Sequence, residues 1–103
     1  MSYQIVRTDK FNDQLHGIIL YIASDSGDVD TALRYLDTVE TAVMRLEDFP
    51  ESGSIPRYSL LKRQGYRVLI IERHLIFYKA DKENQRVTLY AVVDSRSEYV
   101  ALV

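Results

Sequence analysis

Residues 65–99 read GYRVLIIERHLIFYKADKENQRVTLYAVVDSRSEY, and the fold is decided by how this stretch is read. Three runs rich in β-branched and aromatic residues, 66–71, 74–80 and 86–93, are divided by the polar breaks Glu72-Arg73 and 81–85. Such side chains suit a pleated, half-buried surface and breaks this short suit hairpin turns, so the stretch is written as an antiparallel meander. Alternation assigns the faces. Tyr66, Val68 and Ile70 share one and Arg67, Leu69 and Ile71 the other; Leu75, Phe77 and Lys79 oppose His74, Ile76 and Tyr78. In the last run Val87, Leu89, Ala91 and Val93 are set against Thr88, Tyr90, Val92 and Asp94. Both sets are largely apolar. One face therefore packs on the upstream half of the chain, and the other, only partly covered, is where a partner or substrate would sit.

The upstream half supplies that cover. Tyr3, Ile5 and Arg7 alternate with Gln4, Val6 and Thr8, the pattern of a short edge strand. Thr8 or Asp9 offers an N-cap, and Phe11, Leu15, Ile18 and Ile22, widened by Ile19, form one stripe of a helix over 10–23. It stops at 24–27, where Gly27 is free to take the left-handed conformation. Asp28 caps a second helix whose stripe is Ala32, Leu36, Val39, Val43 and Leu46, reinforced by Val29 and Leu33 and ending near Asp48, before Phe49-Pro50. With about four residues between them, the helices form an antiparallel hairpin that turns both stripes toward the sheet. Residues 51–56 are a connector with Gly53 and Pro56, and 57–61 are expected as a brief strand before a turn at 62–65. The fold class is α+β: a short N-terminal strand, a helical hairpin, then a three- to four-stranded antiparallel sheet.

A chain of 103 residues fits one domain, 1–103. Without cysteine there is no disulfide and no thiolate metal site, and His16 and His74 are too far apart in sequence to suggest a zinc pair. No cofactor or metal is expected. No apolar run approaches the roughly 20 residues of a membrane span, and the N-terminus lacks the order of a signal peptide, so a soluble cytoplasmic protein is expected. The net charge of −2 hides an asymmetry: residues 1–51 carry −6 and residues 52–103 carry +4. Within 55–79 there are six basic residues and one acid, Glu72. Such a division suits contact with a charged partner through one side.

The order of elements, with Tyr66-Arg67-Val68 opening a strand, Leu75-Ile-Phe-Tyr78 in the next and Val93-Asp-Ser-Arg-Ser-Glu-Tyr99 after the last, resembles the RelE/ParE superfamily of type II toxins. Ile18-Ile-Leu-Tyr-Ile22, Gly27-Asp28, Ala32, Tyr35 and the segment 46–53 with Phe49-Pro50 bring it closer to the ParE-like branch. The resemblance implies the toxin of a toxin–antitoxin pair, held inactive by a cognate antitoxin whose segment folds on binding along the hairpin groove and sheet. It implies one of two activities: ParE-like poisoning of DNA gyrase by binding, or RelE-like cleavage of mRNA at the ribosome. A third reading is an inactive relative that serves only as an antitoxin partner.

Cutting RNA through its own 2′-hydroxyl requires a base, a proton source for the leaving oxygen and a cation beside the phosphate. The candidates are Arg67, Arg96 and Tyr99, which match positions of the RNA-cutting branch, with His74 and Tyr78 as proton-transfer groups; Arg73 and Lys79 supply further charge. Two positions that are basic in that branch are Leu69 and Leu75 here, and Asp94 would repel phosphate, so the resemblance leans to a toxin without enzymatic activity. Each candidate also has a structural reading: Arg67 as the partner of a hairpin carboxylate such as Asp37 or Glu40, His74 as a satisfied strand histidine, Tyr78 and Tyr90 as packed sheet aromatics. Val100, Leu102 and Val103 would pack on the sheet, pair as an edge or meet a partner, and self-association is left open.

Overall fold

The structure is a computed structural model, and it describes residues 2–96. Strand β1 (Gln4–Arg7) leads into helix α1 (Asp9–Ser26), which reverses into helix α2 (Val29–Met44) and a 3₁₀ turn, Arg45–Glu47. A short helix α3 (Ser59–Arg63) precedes the meander β2 (Arg67–Ile71), β3 (His74–Asp81) and β4 (Arg86–Asp94). The sheet order is β1-β4-β3-β2; β1 lies parallel to β4, with Ile5 opposite Val87, and the other pairs are antiparallel. The expected edge strand is thus the fourth strand of the sheet.

Local chemistry sets the hairpin. The Thr8 hydroxyl accepts from the Phe11 amide at 3.0 Å to cap α1, Gly27 closes it at φ 67°, and the Asp28 carboxylate accepts from the Asp30 amide at 3.0 Å to start α2. The buried stripe of α2 is Ala32, Tyr35, Val39 and Val43, continued by Leu46. Leu36 packs half-buried against the same core as expected, and Tyr35 beside it is buried more deeply, its hydroxyl finding a partner on the sheet. Phe11 and Leu15 of α1 join them over Ile71, Ile76, Tyr78, Val87, Leu89 and Val92, forming the main core.

A smaller core lies on the opposite face, where Leu61 covers Val68, Phe77, Ala91 and Val93. The segment that supplies Leu61 is helix α3 and not the brief strand expected there. As a helix it presents one apolar side chain to the sheet, while its exposed Lys62 and Arg63 lie in the last turn.

The face assignment of β4 departs from strict alternation. Phe77 pairs with Ala91 and Tyr78 with Leu89, which leaves Tyr90 as an extra residue, a β-bulge. Val87 and Leu89 therefore face the hairpin, whereas Ala91 and Val93 belong to the opposite cluster and Val92 returns to the main core.

The connector is pinned to the free edge of β2 by a bridge between Ser54 and Val68, at 2.8 and 2.9 Å. Next to it the Gly53 amide donates to the hydroxyl of fully buried Tyr78 at 2.9 Å. A Cβ at Gly53 would lie 2.6 Å from that hydroxyl and 2.8 Å from the Val68 carbonyl oxygen, neither of which has room to retreat. Gly53→Ala is expected to destabilise the protein by about 1–3 kcal/mol, read as a lower urea midpoint at unchanged m-value.

Candidate functional site: the groove between hairpin and sheet

Where the hairpin diverges from the far end of the sheet, an open groove of about 800 Å³ remains. Its floor is apolar, with Ile18 and Ile22 from α1 and Val92 from β4. Tyr35 forms a wall, and its rim carries Arg34 on α2, Glu72 and Arg73 in the β2–β3 turn, and Asp94 and Arg96 at the end of β4. Glu72 holds φ 54° in that two-residue turn, a conformation a non-glycine residue adopts only at some cost.

Tyr35 and His74 tie the two layers together at the edge of the groove. The Tyr35 hydroxyl lies 2.8 Å from His74 Nδ1, and the rings meet edge to face with centroids 5.4 Å apart. Burial, with the Glu72 charge adding to it, pushes the Tyr35 hydroxyl up to about 12, so it stays protonated at neutral pH. Burial lowers the His74 value, and Asp94 and Glu72 offset this in part, so the ring is held neutral at pH 7. Either neutral tautomer closes the bond: Nδ1 accepts from the hydroxyl in one and donates to its oxygen in the other.

Asp94 and Arg96, two residues apart at the end of β4, form a clamp. The Asp94 carboxylate accepts from the Arg96 amide at 2.8 Å, from Nε at 3.1 Å and from the guanidinium at 3.0 Å. These hydrogen bonds, first that of the side chain, bring the Asp94 carboxyl down to about 2. The charge of Arg96 is thus already met by a carboxylate. Among the described residues Arg34 and Arg73 have no carboxylate partner.

The other sequence candidates lie elsewhere. Arg67 pairs with Tyr78 at the opposite end of the β2–β3 ribbon from the Ile71–His74 pair, four residues away and so about 13 Å along the strand. Its guanidinium donates to the Gly53 carbonyl at 3.1 Å and to Glu51 at 3.3 Å. The carboxylate partner is therefore Glu51, just past the hairpin, and not Asp37 or Glu40. Glu40 instead receives both arms of Arg7, joining α2 to β1. Tyr78 is buried against the connector and its hydroxyl is raised, chiefly by that burial. Of the five candidates the structure brings His74 and Arg96 together at the groove and separates Arg67 and Tyr78 from them; Tyr99, with Val100, Leu102 and Val103, lies outside the described residues. Tyr35 was missed as a site residue. Its signal was an aromatic hydroxyl inside an aliphatic helix stripe, which has to find a polar partner once buried.

The sequence model of the family described as the ParE toxin of the type II toxin–antitoxin system parDE matches residues 5–99. The chain belongs to that ParE toxin family. It is a type II toxin of the ParE/RelE kind, as the motifs of the sequence led one to expect. Solved structures share the fold. A chain of the chromosomal ParDE system from P. aeruginosa superposes with a TM-score of 0.72 at 14% identity, covering 90% of this toxin and 96% of that chain. A chain of the toxin–antitoxin complex RelBE2 from Mycobacterium tuberculosis gives 0.61 at 20% identity, with 91% and 99% covered. No curated protein matches the toxin significantly in sequence. Among the described residues no helix is long and apolar enough to cross a membrane.

The His74 geometry fixes a pH dependence. The unfolded chain takes a proton on His74 near pH 6.5, whereas the folded ring does so only at lower pH, so between the two the unfolded state binds more protons and stability falls as pH drops. His74→Gln is expected to flatten this slope in urea titrations run below about pH 6.5. Asp94 adds an acid-side loss, from its unfolded value of 3.8 down to about 2, which Asp94→Asn removes.

Proposed function

We propose that this toxin arrests growth by binding DNA gyrase in the cytoplasm, not by cutting RNA, and that a cognate antitoxin silences it by laying a segment into the groove between hairpin and sheet. The observation that carries the first half is the commitment of the candidate catalytic groups. Arg67 is spent on Gly53 and Glu51, Tyr78 on the connector, Arg96 on Asp94 and His74 on Tyr35. General acid–base chemistry requires such groups to converge within hydrogen-bond reach of one phosphate, and a spread of about 13 Å along one strand weighs against that. A carboxylate clamped on Arg96 also opposes an incoming phosphate, and a chain of net charge −2 starts at a disadvantage on ribosomal RNA.

The second half rests on the groove. An open trough with an aliphatic floor and an arginine-bearing rim suits a segment that orders as it binds, with apolar anchors below and polar contacts above. The structural neighbours come from toxin–antitoxin systems, which supports such a partner.

Purified protein is expected to inhibit gyrase supercoiling and to leave mRNA intact in a translating extract. Intact supercoiling with cleaved mRNA would overturn the proposal. In cells, overexpression is expected to stop growth until the small gene beside it is co-expressed; unaffected growth would mark an inactive relative.

A further inference from the structure

The face of the sheet turned away from the hairpin is capped by Leu61 alone from α3, and the cover is incomplete. Ile55 is 54%, Leu60 45% and Ile70 66% exposed. Between Ile55, Pro56, Val68, Ile70 and Leu75 opens a notch of about 250 Å³ with Arg57 on its rim. Along the connector and α3 the charge is of one sign: residues 52–66 contain Arg57, Lys62 and Arg63 and no acid. Arg67 is turned into the connector, whereas Lys62 and Arg63 stand exposed on α3. Lys79 adds an ammonium held 4.5 Å from the Tyr66 ring centroid and 5.4 Å from that of Tyr90.

An apolar notch beside a basic segment has the anatomy of a protein interface, with a dry centre for an anchoring side chain and nearby charge that steers approach. We propose that this outer face is where the toxin docks on its target, a protein surface that seats an apolar side chain in the notch and sets carboxylates against Lys62 and Arg63. The inference rests on the reading of the protein as a toxin that acts by binding, and it leaves the opposite groove to the antitoxin. Nucleic acid fits less well. The exposed groups are aliphatic, and the rings of Tyr66 and Tyr90 are engaged with each other, 5.4 Å apart, and with Lys79.

The test titrates purified DNA gyrase onto immobilised full-length toxin. Lys62→Glu/Arg63→Glu is expected to slow association about tenfold and to weaken its dependence on salt, and Ile70→Asp to speed dissociation about tenfold. Melting temperatures near wild type show that the variants fold. Folded variants that bind gyrase as wild type does would overturn the proposal. If wild-type toxin itself ignores gyrase, the gyrase reading fails, and the same variants are scored by growth arrest: arrest lost in folded variants sustains the docking face, and arrest retained removes it. Two further probes are a 30-nucleotide DNA and RNA pair and sedimentation of the toxin alone. Oligonucleotide binding lost in the double variant would assign the face to a polyanion, and self-association lost in it would assign the face to a second copy; either outcome overturns the proposal.

Discussion

Strand β4 runs on past Leu89, where its partner β1 ends, and groups from the start of α1 take over the pairing. The Thr8 amide donates to the Leu89 carbonyl at 3.1 Å, the Thr8 hydroxyl to the Tyr90 carbonyl at 3.1 Å, and the Val92 amide to the Gln14 side chain at 2.9 Å. A buried group left unpaired costs about 1–3 kcal/mol, so the second half of β4 depends on the junction of β1 with α1. The bulge lets one strand feed two cores, with Leu89 under the hairpin and Ala91 on the outer side, and it sets Tyr90 beside Tyr66 and Lys79.

Dividing the sheet in this way gives the protein two unlike surfaces. The groove mixes signs, because Asp94 and Glu72 stand among its arginines, and its floor is aliphatic. The outer face holds a shallow apolar notch beside the basic residues of the connector and α3. The Tyr35–His74 contact binds hairpin to sheet on the first surface, and the Gly53 contacts with Tyr78 and Arg67 hold the connector that shapes the second. The basic residues of 55–79 that suggested phosphate chemistry are thus shared out: Arg67 ties down the connector, Arg73 stands on the rim of the groove, and Arg57, Lys62, Arg63 and Lys79 lie toward the outer side.

Most of the architecture was legible because it is local. Caps at Thr8 and Asp28, the turn at Gly27 and the three meander runs lie where spacing puts them. The misreadings share a cause. Leu36 and Tyr35 are adjacent and both apolar enough for the stripe, and only the sheet decides which is buried more deeply. Tyr90 reads as one more alternating residue, since nothing in its own run announces that Thr8 and Gln14 will pair with its neighbours from more than 75 positions away. Residues 57–61 have strand-like composition, but helix α3 is selected by where Leu61 can reach the outer core. The site was less legible than the fold for the same reason: whether Arg67 meets Glu51, Glu40 or a phosphate depends on register and on a connector, not on its own neighbours.

The pairing of Ile5 with Val87 also bears on how the chain is made. β1 is the first strand of the sheet to leave the ribosome and its partner is the last, so the sheet cannot close until all four strands have emerged. The helical hairpin, built from contacts close in sequence, has no such wait. The topology thus places the closing of the sheet after the hairpin in the order of synthesis, a built-in delay before the finished toxin can exist.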